Sequence, residues 1–302
     1  MISRLVGMIC VLMVGTSLVW GMEEYTLVSD FGTSAEMIGV GRVGGFSETA
    51  DVIFENPAGL HSIKWMGFSF FSSQVIDADY RGLSFAMKLG DGVVGVGMVG
   101  SSISDLVQTG DYSERQGNFS NFSVSESVVR MGYQSNILPA MSAGVAAVVM
   151  SKDFGADSVS AWNLEVGMSQ VLDPFSYSIV ARNILPVAAV YRSGATEKVS
   201  LQVIPSVCIP LSPLTVYGQA RWINRDQPKI LSSFGVKWAI IADHFSISAG
   251  RSEMTTTAGK NTARLSVGTV LSINALRLQY AYEKSDYEDD GNQHYFSVGV
   301  GL

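Results

Sequence analysis

From about residue 65 to the C-terminus, the chain runs as short stretches in which apolar positions alternate with polar or small ones. In the last stretch Phe296, Val298, Val300 and Leu302 face one way, and Tyr295, Ser297, Gly299 and Gly301 the other. Before it, Leu276, Leu278, Tyr280 and Tyr282 oppose Arg277, Gln279 and Glu283, and Leu265, Val267 and Leu271 oppose Arg264, Ser266 and Ser272. Val199, Leu201, Val203, Val207 and Ile209 oppose Ser200, Gln202, Ser206 and Cys208. Leu83, Phe85, Met87 and Leu89 oppose Gly82, Ser84 and Lys88. A period of two is the mark of a strand whose faces meet different surroundings.

The connections between these stretches alternate in length. Tight ones fall at Gly90-Asp91-Gly92, Asn136 to Ala140, Leu172-Asp173-Pro174, Pro210 to Pro213, Ile241-Ala242-Asp243 and Ile273-Asn274, where Gly, Pro, Asn and Asp supply turn geometry. Longer ones span Ile103 to Phe122, Leu185 to Glu197, Ser252 to Asn261 and Ser285 to Gln293. Short turns at one end and longer loops at the other predict an all-β protein, a transmembrane antiparallel β-barrel of about fourteen strands over residues 65–302. Residues 22–64 are Gly-rich and lack the alternation, which predicts an N-terminal plug in the barrel mouth. Residues 1–21 read as a signal peptide: Arg4, then an apolar run from Leu5 to Val19, with cleavage near Gly21. That places the mature protein in the outer membrane of a diderm bacterium, among outer-membrane lipid.

Composition sharpens this picture. Charged residues are 16% of the chain against about 25% in soluble domains, and mean hydropathy is +0.25. Yet no long apolar helix follows the leader, and in lipid only a closed barrel can distribute apolar groups by alternation. A net charge of −7 gives no reason to expect nucleic acid. Of the two cysteines, Cys10 lies in the leader, so Cys208 alone remains and is read as a small lumen filler.

Chemistry-bearing motifs are sparse. Gly39-x-Gly41-x-x-Gly44 matches a dinucleotide fingerprint but has neither the preceding strand nor the βαβ setting it requires. Of the three histidines, His294 follows Asp286, Glu288, Asp289 and Asp290, a pattern read as a solvated acidic loop rather than a catalytic pair. No metal-ligand spacing occurs, no cofactor is expected, and an enzyme is not predicted. Parity places Lys88, Glu126, Arg130, Arg182, Arg221, Arg264 and Arg277 on the second, inward face, together with Glu165, Lys237 and Glu283. They form a polar lumen lining that stiffens the barrel, anchors the plug or meets a carboxylate head group. Trp65, Tyr133, Trp162, Trp222, Trp238 and Tyr280 suit interfacial girdles.

The stretch Gly39-Val40-Gly41-Arg42-Val43-Gly44-Gly45-Phe46, followed by Glu55-Asn56-Pro57-Ala58-Gly59-Leu60, resembles the N-terminal plug of FadL-like outer-membrane proteins. This superfamily includes the long-chain fatty acid transporter FadL and PorV-type subunits of a bacterial secretion system; the small size resembles a branch found in spirochaetes. The resemblance implies a fourteen-stranded barrel with a hatch motif at Asn56, Pro57, Ala58 and Gly59. It also implies passive uptake of a hydrophobic small molecule, with long-chain fatty acid as lead substrate. The alternative is a PorV-like scaffold that binds envelope proteins and transports nothing. Two features depart from the pattern: the loop from Ile103 to Phe122 is mostly polar, and the chain ends in Leu302 rather than an aromatic residue.

Overall fold

The structure, a computed structural model, describes residues 23–24, 28–75, 78–107, 121–155, 157–225, 228–255, 261–284 and 292–302. Among them fourteen strands close a barrel in which every neighbouring pair is antiparallel. The first seven are β1 (Met66–Val75), β2 (Ala78–Leu89), β3 (Gly92–Val107), β4 (Asn121–Leu138), β5 (Met141–Asp153), β6 (Ser158–Leu172) and β7 (Phe175–Arg182). The others are β8 (Gln202–Leu211), β9 (Leu214–Ile223), β10 (Lys229–Ile241), β11 (Phe245–Thr255), β12 (Asn261–Ile273), β13 (Leu276–Glu283) and β14 (Gln293–Gly301). Each strand pairs with the next in sequence, and β14 closes on β1 through pairs such as Gly299 with Ser69. Closure leaves the sheet with no unpaired edge.

Alternation along each strand separates two environments. Inward positions hold small or polar residues such as Ser69, Ser84, Ser233 and Ser266, all buried. Outward positions hold Met131, Leu265 and Phe296 at 64%, 61% and 55% exposure, within a belt of large apolar side chains around the wall. Such a continuous apolar exterior is incompatible with a water-facing surface and suits lipid. At one end the hairpins are tight. Gly90, Ala140, Asp243 and Asn274 adopt positive φ there, and the Asp173-Pro174 and Ser212-Pro213 bonds are cis.

The N-terminal segment folds into short helical pieces. A 3-10 turn (Val28–Phe31) precedes α1 (Ala35–Gly39), whose N-terminus is capped by the Ser34 hydroxyl accepting from Met37 N at 3.2 Å. Helix α2 (Val52–Glu55) runs into a second 3-10 stretch (Pro57–Ser62) with proline in its first turn. Ile38, Ile53, Phe54 and Leu60 from this segment share one buried apolar cluster with Phe71, Val99 and Ala146 of the wall. Its polar groups bond to Glu126 of β4, Ser178 of β7, Gln219 of β9, Ser266 of β12 and Ser297 of β14. Contacts to the inner face on every side place residues 28–63 within the barrel.

Several sequence-derived boundaries shift. β8 begins at Gln202, so Val199, Leu201 and Ser200 belong to the preceding connection, where Val199 and Ser200 are buried. That connection contains two short strands, Ala188–Val190 and Thr196–Lys198, paired with each other, and Glu23–Glu24 adds to them in parallel. β3 runs on to Val107 and β4 starts at Asn121, and β11 continues to Thr255, so these loops are shorter than the polarity of their flanks suggests. Residues 108–120, 256–260 and 285–291 lie outside the described residues.

Candidate functional site

The motif Asn56-Pro57-Ala58-Gly59 sits against the inner wall of β5–β7. Asn56 is fully buried, and its Oδ1 accepts from Ala58 N at 2.9 Å, capping the 3-10 stretch. Its Nδ2 donates toward Ser178 Oγ at 2.7 Å, Met168 O at 3.1 Å and Ile179 O at 3.2 Å. The approach is close because Gly144 and Gly167 pair directly across β5 and β6. A Cβ on Gly167 would overlap Asn56 Oδ1, and one on Gly144 would overlap the Pro57 backbone. A second such seat lies across the barrel. Gly235 pairs with Gly250, and a Cβ on either would overlap the backbone of Val40 and Gly41. Gly41 adopts a φ of +73°, a conformation other L-residues rarely take. The Gly39-x-Gly41-x-x-Gly44 run is thus a close-packed turn that directly follows α1 rather than a strand.

Around these seats the charges meet in pairs. Arg130 holds Glu165 through two bonds of 2.9 and 3.1 Å, both side chains fully buried, and stands 5.6 Å over the Phe54 ring. Arg182 donates to the carbonyls of Phe54 and Glu55 at 2.6 and 2.8 Å, satisfying the C-terminal end of α2. It also lies 3.4 Å from Asp30, which Arg221 approaches at 3.5 Å. Glu283 sits between Arg264, at 2.8 Å, and Arg42 of the N-terminal segment. Glu36 receives Lys237 at 3.1 Å and Arg277 at 3.0 Å, and Arg277 also pairs with Glu48. Glu126 accepts from Val28 N at 3.0 Å. The Arg130–Glu165 and Arg42–Glu283 pairs are buried on both sides, and truncating one member of such a pair costs about 3–5 kcal/mol.

Two buried carboxylates stand apart. Asp51 is met by the Ser47 and Thr49 hydroxyls, and Glu55 by the backbone N–H groups of Gly45, at 2.6 Å, and Ser47, at 3.4 Å. Burial, then the neighbouring Asp51 charge, pushes Glu55 well above the usual carboxylate range. At the tight-turn end a cavity of about 760 Å³ opens beside this region, lined by Glu48, Ile63, Lys237, Val270, Arg277 and Leu302 among others.

No protein-family model matches the sequence, and no curated protein matches it. Solved structures do match. The toluene transporter TodX of Pseudomonas putida superposes at a TM-score of 0.62 and 10% identity, over 93% of this chain and 97% of that one. The toluene transporter TbuX of Ralstonia pickettii gives 0.57 and 12%, over 93% and 98%. A Pseudomonas aeruginosa FadL homologue gives 0.59 and 10%, over 92% and 99%. This chain has the FadL-type barrel fold.

Within that FadL-type barrel, the structure brings together Arg130, Arg182, Arg221, Arg264, Arg277 and Glu126 on the inner face, with Glu165, Lys237 and Glu283 among them. Lys88 is the exception: it keeps the inward parity but lies exposed beside the Gly90 turn, beyond the segment the others touch. His294 points outward, with Nδ1 2.8 Å from the Tyr280 hydroxyl; the acidic residues 286–290 fall outside the described residues. Among the described residues no three metal-ligating side chains converge. Sequence reasoning missed the partners in the N-terminal segment, namely Asp30, Glu36, Arg42 and Glu48. Their signal was available: they are the few charges in a stretch otherwise small and apolar, and each needs an opposite charge on the wall.

Proposed function

We propose that this protein is an outer-membrane channel for passive uptake of hydrophobic small molecules, with long-chain fatty acids as lead substrate. One observation carries the reading: over nearly its whole length the chain shares the fold of barrels described as toluene transporters and as a FadL homologue. Under this reading residues 22–64 act as the plug, released from their leader near Gly21. The contacts of that segment with the wall suit the role, since they are hydrogen bonds, ion pairs and apolar packing that can exchange. The plug motif Asn56 to Gly59 sets its seat, and the lumen arginines tie it in place. Ligand affinity would come from apolar burial, about 0.8 kcal/mol per methylene, and so rises with chain length.

Native mass spectrometry of the protein extracted from its own membrane tests this, with released lipids identified. A retained fatty acid, selective for chain length, is the expected result. An empty barrel that arrives with stoichiometric envelope proteins would replace the channel by a PorV-like scaffold.

A further inference from the structure

Three acidic residues of the N-terminal segment meet cations of the wall. Asp30 faces Arg182 and Arg221, Glu36 faces Lys237 and Arg277, and Glu48 faces Arg277. Asp51 and Glu55 differ. They are 2% and 3% exposed, and among the described residues no basic side chain lies within ion-pair distance of either. Asp51 precedes α2 and Glu55 ends it, so a spacing of four puts both carboxyls on one face of that turn.

Ser47 joins the two. Its hydroxyl donates to Asp51 at 3.3 Å and its N–H to Glu55 at 3.4 Å. Glu55 also accepts from Gly45 N at 2.6 Å, through the same oxygen; among the described residues its Oε1 is buried with no hydrogen-bond partner. The surrounding elements bring no relief. Glu36 of α1 adds a further negative charge. Arg182 of β7 donates to the Glu55 backbone carbonyl, and Arg130 of β4 stands over the Phe54 ring. Arg277 of β13 lies within electrostatic reach of Asp51, but its hydrogen bonds go to Glu36 and Glu48. Two neighbouring carboxyls shut away from water without a cation cannot both ionise, so the closed form keeps a proton on the pair.

We propose that Asp51 and Glu55 are a proton-holding latch that keeps the N-terminal segment seated in the lumen, and that loss of this proton as pH rises frees it. The loop that Glu55 holds is also where the segment meets two wall strands. Gly44 N donates to Gln219 of β9 at 2.9 Å, and a Cβ on Gly45 would overlap Ser178 Oγ of β7. A second charge on the pair is relieved by admitting water between that loop and α2, which withdraws the loop from both strands. Burial and then the Asp51 charge push Glu55 up to about 8 in the closed form, while water access returns it toward its ordinary 4.5. The closed form is therefore favoured by the proton at acid pH, and that advantage is lost between these two values. Opening rises by about tenfold per pH unit across the window and levels off above about pH 8.

The latch rests on the reading of residues 22–64 as a plug. It is tested by planar-bilayer recordings of the full protein at pH 5.5, 6.5, 7.5 and 9 in one salt. Wild type is expected to open more often by about tenfold per unit up to pH 7.5, then to level off. Glu55→Gln, which cannot ionise, should open rarely and equally at every pH. Asp51→Asn, which removes the neighbouring charge, should shrink the rise and end it below pH 8. Glu126→Gln, at the separate contact with Val28, should leave the rise intact. Heat-dependent gel mobility reports that each barrel is folded. Gly167→Val, which forces a side chain against Asn56, shows at one pH whether unseating the segment opens the barrel. If it does, a flat wild-type profile, or a rise that survives in Glu55→Gln, overturns the latch and leaves the plug standing. If folded Gly167→Val conducts no more than wild type, the plug reading fails and the latch with it.

Discussion

Asn56 uses its whole amide to tether the N-terminal segment, accepting from Ala58 and donating to three acceptors on β6 and β7. Replacing it by Ala leaves buried carbonyls without a donor, which costs about 1–3 kcal/mol. Asn56→Asp is expected to cost more, because it keeps the cap on Ala58 but turns a second oxygen toward the Met168 and Ile179 carbonyls. Urea unfolding of the two variants checks the order; equal stability of wild type and both variants would remove the tether. Glu55 makes a second residue-level prediction. Its folded form holds a proton that the unfolded chain has released above the ordinary value of 4.5, so its contribution to stability falls as pH rises from that value toward neutrality. Glu55→Gln retains an acceptor for Gly45 N, so the difference between variant and wild type should grow in the variant's favour with rising pH. Unfolding midpoints at pH 5 and pH 8, taken in parallel for both proteins, measure that slope. Neither side chain was readable in these terms beforehand. The motif marked Asn56, but nothing in the spacing of Asp51 and Glu55 shows that their partners would be hydroxyls and backbone rather than arginines.

At the scale of elements, the strands were legible because lipid outside and polar residues inside impose a period of two. The ends were not. Apolar residues such as Ile137, Leu138 and Ile241 close their strands beside the tight turns while staying exposed, so burial does not report where pairing stops. At β8 the reason differs: Val199 and Ser200 alternate like a strand but are both buried in the connection that precedes it, rather than in the wall. The lumen charges followed from parity, except that parity alone cannot tell a residue inside the barrel from one past its end, as Lys88 shows. The glycine seats give a prediction at this scale. Gly167→Val forces a side chain into the space of Asn56, and Gly235→Val into that of Val40. Each should unseat the N-terminal segment while leaving the strands paired. Planar-bilayer recordings are expected to show larger and more frequent conductance steps than wild type or the lipid-facing control Met131→Val. Unchanged conductance in folded Gly167→Val barrels would mean the segment does not obstruct the lumen.

For the molecule as a whole, the FadL-type architecture followed from the alternation, the connection lengths and the motif before the first strand. The substrate did not, because the inner wall mixes an arginine-rich network around the N-terminal segment with buried apolar side chains such as Val99, Val148, Leu231 and Val270, and only the pairing of strands shows which of these meet. Under the proposed function, hydrophobic molecules cross the outer membrane through this barrel. Initial uptake of labelled oleate into cells of a diderm host that lacks its own long-chain fatty acid channel measures that passage. Expression of the intact protein is predicted to raise uptake several-fold over the empty host. Uptake no faster than in the empty host, with the barrel folded in the outer membrane, would show that this barrel does not admit fatty acids.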